Sequence, residues 1–121
     1  MQGLHLTADL KGCDATAPVF VEPTALRQAC VAAVQRAGLT AVGELFHRFD
    51  GGGVTGVVLL AESHVAVHTW PELGAVTVDV YVCNYSGDNS ARAVGLLAAL
   101  ETLFAPSSVE RHSLQRGTPS A

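Results

Sequence analysis

Val57-Val58-Leu59-Leu60-Ala61-Glu62-Ser63-His64-Val65-Ala66-Val67-His68-Thr69-Trp70-Pro71-Glu72 is the stretch on which the architecture of this chain turns. Four aliphatic residues run up to Ala61. Beyond Ser63, Val65 and Val67 are interleaved with His64 and His68, and Trp70 follows. A short apolar run followed by a two-residue alternation reads as two strands meeting at Ser63.

Working outward, Leu39 to Phe49 reads as the strand before this pair, and Gly51-Gly52-Gly53 breaks it before Val54 to Leu60 begins the next. The glycine run has neither the lysine nor the following helix of a phosphate loop, so it reads as a hairpin turn. Leu4, Leu6, Ala8 and Leu10 alternate with His5, Thr7, Asp9 and Lys11 as a first strand, which Gly12 to Pro18 ends. Pro23 then opens a helix whose apolar positions Leu26, Cys30, Ala33 and Val34 recur at helical spacing until Gly38 stops it. Downstream, Pro71 to Gly74 is a turn. Ala75 to Cys83 alternates again, placing Asp79, Tyr81 and Cys83 on one face. Asp88 or Ser90 caps a second helix that runs through Val94, Leu97 and Leu100 to Phe104. Ser108 to Leu114 makes a short last strand, and Gln115 to Ala121 reads as a frayed tail. This order predicts an α+β fold, a two-layer α/β sandwich in which an antiparallel sheet carries two helices on one face.

With 121 residues, one domain spanning 1–121 is expected. Its residues are 49% hydrophobic and only 15% charged, a balance that implies part of its surface is covered by another subunit. The net charge of -4 and the scattered seven Lys and Arg argue against nucleic acid as a partner. No stretch approaches the roughly 20 apolar residues needed to span a bilayer, and Met1 to Lys11 lacks the pattern of a leader, so a cytoplasmic protein is expected. Cys13, Cys30 and Cys83 are odd in number and lack C-x-x-C spacing, which indicates reduced thiols and no metal site. Lys11 is the only lysine, leaving a pyridoxal phosphate enzyme one candidate for its Schiff base.

A serine between two strands has a chemical option besides bonding the local backbone. Its hydroxyl can attack the preceding carbonyl and turn the peptide bond into an ester. Elimination and hydrolysis then leave a pyruvoyl ketone, which forms a Schiff base with a substrate amine and accepts the electrons released when a carboxylate departs. Glu62-Ser63-His64, then His68-Thr69-Trp70-Pro71-Glu72, then Asp79 and Cys83, resemble the ordered motifs of the small prokaryotic S-adenosylmethionine decarboxylases, which are pyruvoyl enzymes. The likeness also takes in Leu4 to Asp14 and Phe46 to Gly56, and so covers most of the chain.

The resemblance implies cleavage between Glu62 and Ser63 into 1–62 and 63–121, with Ser63 as precursor of the pyruvoyl cofactor. It implies a homodimer with its sites at the subunit interface. His68 matches the base that helps the ester eliminate, and Thr55 a hydroxyl that assists the acyl shift. Cys83 matches the proton donor, and Glu72 a glutamate that binds the ribose of S-adenosylmethionine. Phe49 and Trp70 are candidates to stack on adenine or face the sulfonium. Ser63 and His68 are five positions apart, so straight-strand geometry would put them on opposite faces, and their meeting requires a bend at the cut site. Asn84 stands where the family commonly has glycine after its cysteine. Arginine and ornithine decarboxylases within the family share the machinery, and a catalytically inactive subunit on the same fold is the reading of another class.

Overall fold

The computed structural model describes residues 2–85 and 87–117. Six strands, β1 (Gly3–Lys11), β2 (Ala41–Arg48), β3 (Val54–Leu60), β4 (Ser63–Trp70), β5 (Ala75–Cys83) and β6 (Ser108–Arg116), form one sheet in the order β2-β3-β4-β5-β1-β6. All neighbours are antiparallel. Helices α1 (Pro18–Val21), α2 (Pro23–Arg36) and α3 (Ser90–Phe104) contribute to a single core with the same strand face. The expected two-layer sandwich is therefore present, with a short third helix that four residues are too few to announce by periodicity. The last strand continues to Arg116, so Gln115 and Arg116 belong to the sheet and not to a frayed tail, because they pair with Leu4 and Gly3 of β1. The rest of that expected tail, from residue 118, lies outside the described residues.

Alternation decides which side chains make the core. Leu6, Ala8 and Leu10, Val54 and Val58, Val65 and Val67, and Val76, Val78, Val80 and Val82 are buried beneath Leu26, Cys30 and Val34 of α2 and Leu96 and Leu100 of α3. Phe20 of α1 meets Phe104 of α3 edge to face at 6.0 Å, tying the ends of the helical layer together. Truncating one of the fully buried leucines to alanine costs about 2–5 kcal/mol. Among the described residues Thr69 is the buried polar exception, and it is satisfied twice: its hydroxyl accepts the Val54 N–H and donates to the Phe20 carbonyl, each at 2.8 Å. Gly53 makes this possible, since a Cβ there would lie 1.8 Å from the Thr69 carbonyl oxygen.

The helices stop where their sequence says they must. Pro23 starts α2 without requiring an N–H, and Gly38 (φ 83°) ends it in the left-handed conformation, so that the Leu39 N–H reaches the Val34 carbonyl. Among the described residues no helix covers the sheet's second face. That face presents Thr55, Val57 and Leu59 of β3 and His64, Ala66, His68 and Trp70 of β4.

Candidate active site

A two-residue link, Ala61-Glu62, joins β3 to β4, and Leu60 pairs with Ser63 across it. Glu62 has φ of 60°, a left-handed conformation that usually falls to glycine or asparagine and costs other residues about 1–2 kcal/mol. The bond expected to break thus follows directly on a strained residue. Ser63 begins β4, and its hydroxyl oxygen accepts the backbone N–H of Cys83 at 2.9 Å. Cys83, the last residue of β5, is buried. Glu62, Ser63 and Cys83 line a cavity of about 160 Å³ together with Thr40, Leu60 and Asn89.

The other expected residues gather elsewhere. Thr55 and His68 are register partners on β3 and β4, with the hydroxyl oxygen 3.0 Å from Nδ1. They line an open cavity of about 290 Å³ with Phe49, Trp70 and Glu72. Phe49 is 52% exposed and Trp70 43%. Glu72 sits in a one-turn 3-10 helix, Pro71–Leu73, closed by Gly74 at φ 59°.

The bend that a meeting of Ser63 and His68 within one chain would require does not occur. Strand β4 runs unbroken from Ser63 to Trp70, held on both sides by β3 and β5. Five residues of extended chain put the two about 17 Å apart, and Ser63 shares its register with the core residues Val65 and Val67 while His68 shares that of the open face. The expected residues of one chain therefore fall into two groups, Glu62/Ser63/Cys83 at one end of the β3-β4 ladder and Phe49/Thr55/His68/Trp70/Glu72 at the other.

The model of the family described as "S-adenosylmethionine decarboxylase" matches residues 4–117. The chain belongs to that family. It is 43% identical to an S-adenosylmethionine decarboxylase proenzyme of Aquifex aeolicus over 95% of this chain and 81% of that one. A proenzyme of the same description from Archaeoglobus fulgidus is 38% identical over 95% of this chain and 97% of the other. The crystal structure of the adenosylmethionine decarboxylase from Aquifex aeolicus superimposes with a TM-score of 0.87 at 37% identity, covering 98% of this chain and 92% of that one.

Within this S-adenosylmethionine decarboxylase family member, a further cavity lies apart from both groups of residues. About 410 Å³ in volume, it runs between α3 and β6 along Leu6, Val94, Leu97 and Arg111. Arg111 is tied by a forked pair of hydrogen bonds to Glu101, which raises its pKa further. All three cysteines are free, and burial pushes the Cys30 thiol up to about 12 and raises that of Cys13. Asn89 also lines the Ser63 cavity, whereas the sequence points to Asp88 or Ser90 at this helix start. Its position just before a helix was the available signal, but that position ordinarily means a cap and not a site.

Proposed function

We propose that this protein cleaves its own chain between Glu62 and Ser63 and then decarboxylates S-adenosylmethionine, as a carboxy-lyase carrying a pyruvoyl group made from Ser63. The observation that carries this reading is the setting of Ser63, whose hydroxyl is held by an N–H beside the strained Glu62, in a chain of this family. An N–H donated to the oxygen stabilises the charge it gains as its proton leaves. The oxygen then bonds to the Glu62 carbonyl carbon, and the Glu62–Ser63 C–N bond breaks to leave an ester. A base removes the Ser63 α-proton, the Glu62 carboxylate departs with the oxygen, and hydrolysis releases ammonia from the new end of 63–121.

His68 is the base and Thr55 the assisting hydroxyl, and they reach Ser63 from a second copy of the chain. Their distance from Ser63 within one chain supports this arrangement, as does the helix-free sheet face on which Leu59 and Trp70 are exposed. Two copies facing one another would complete two sites. We place this dimer in the cytoplasm, in keeping with its three free thiols.

Once formed, the pyruvoyl ketone supplies the electron sink that engages the substrate amine as carbon dioxide leaves. The residues present fit such a group, since Ser63 supplies its carbons and no separate cofactor has to be held. Cys83 delivers a proton to the substrate carbon that has lost its carboxylate. Glu72 offers two carboxylate oxygens to two vicinal ribose hydroxyls, and Phe49 and Trp70 flank the adenine and the sulfonium. The test is intact mass, followed by carbon dioxide release from S-adenosylmethionine, arginine and ornithine side by side. The expected result is two fragments from wild type, one chain from Ser63→Ala, and turnover of S-adenosylmethionine. An unmodified wild-type chain after prolonged incubation overturns the enzyme reading in favour of an inactive subunit, and turnover of arginine or ornithine alone overturns the substrate.

A further inference from the structure

We propose that Asn89, oriented by Arg92, is a positioning residue that clamps the Cys83 main chain against Ser63 for self-cleavage, an inference that rests on the proposed role of Ser63. Asn89 occupies the N-cap position of α3, where an asparagine side chain ordinarily accepts a hydrogen bond from the helix's first turn. Here it makes no such bond. Its Nδ2 instead donates to the Cys83 carbonyl at 3.0 Å, and its Oδ1 accepts from Arg92 Nη1 at 2.8 Å. The nearby carboxylate of Asp88 accepts the N–H of Ser90, the first helical residue, at 2.9 Å.

The direction of the amide follows from its neighbours. A guanidinium only donates, so the oxygen must face Arg92 and the NH₂ must face Cys83, whose carbonyl only accepts. The Asn89 N–H also bonds Asn84 Oδ1 at 2.8 Å, and the Asn84 N–H bonds the Gln2 carbonyl at 2.7 Å, so both ends of the turn after Cys83 are fixed. Cys83 is thus held on two sides, its carbonyl by Asn89 and its N–H by the Ser63 hydroxyl. Asn89 faces the cavity that contains Glu62, Ser63 and Cys83, which places this clamp at the bond to be cut.

The experiment follows chain cleavage by denaturing gel and intact mass, which does not depend on turnover by the processed enzyme. Serine caps helices as well as asparagine but is too short to reach the Cys83 carbonyl, so Asn89→Ser separates positioning from capping. The expected result is a melting temperature within a few degrees of wild type and cleavage slowed about tenfold, the usual weight of one hydrogen bond. Asn89→Asp, which keeps the shape and loses the NH₂, should slow cleavage at least as much. Arg92→Ala, a change at an exposed helix surface, should slow it severalfold by freeing the amide to turn over, and it carries the test should Asn89→Ser fail to fold. Wild-type cleavage rates in Asn89→Ser and Arg92→Ala overturn the clamp while leaving the proposed function standing. Failure of wild type itself to cleave removes the reading on which the clamp rests.

Discussion

The Thr55 hydroxyl and His68 Nδ1 face one another at 3.0 Å across a register pair of β3 and β4, while Ser63 stands at the far end of the same strand. Neither can serve the serine of its own chain without breaking β4. Co-expression of differently tagged Ser63→Ala and His68→Ala chains should therefore restore one site in each mixed pair, the Ser63→Ala chain lending its His68. Mass measurement should find the His68→Ala chain cut only in the mixture. A His68→Ala chain that stays whole in the mixture would count against shared sites.

Cleavage at Glu62–Ser63 should leave the fold intact. β1, from the first fragment, lies between β5 and β6 of the second, hydrogen-bonded along both edges, and β3 pairs with β4 from Thr55 to Leu60. The two pieces should elute as one species under native conditions and separate only in denaturant. Separation in native size-exclusion chromatography would contradict the sheet order.

Cys83→Ala should lose roughly 10²- to 10⁴-fold in turnover, the usual worth of general acid help, with substrate still bound. Glu72→Gln should chiefly raise KM, and only for a ribose-bearing substrate. Steady-state kinetics on separately processed protein decide both. Equal effects of Glu72→Gln on kcat and KM would speak against a role confined to ribose.

Alkaline stability should fall through Cys30. Its thiol, at 0% exposure, is pushed from 9.0 to about 12 by burial, so the folded state keeps a proton that the unfolded state gives up. The sign follows: this contribution is whole below pH 9 and is lost as pH rises toward 12, at about 1.4 kcal/mol per pH unit once the unfolded thiol is ionised. Denaturant titrations between pH 8 and 11 should show that slope, and Cys30→Ala should flatten it whatever the cavity costs at neutral pH. An unchanged slope in Cys30→Ala would assign the alkaline loss to other groups.

Local patterns determined much of this protein. The two-residue alternation in β1 and β5, the helical spacing from Leu26 to Val34, and the stop at Gly38 were readable because each depends on neighbours a few residues away. The ordered residues from Glu62 to Cys83 likewise marked the family before any contact was known. What only the tertiary structure decided was who meets whom. β4 stays straight because β3 and β5 bind both of its edges, and that separates Ser63 from His68. Gln115 and Arg116 became strand because β1 offered them a ladder, and Asn89 left its helix cap for the Cys83 carbonyl because folding brought the end of β5 against the start of α3. Pairings across long sequence separations carry no local pattern, since their energy exists only once the chain has closed the loop between them.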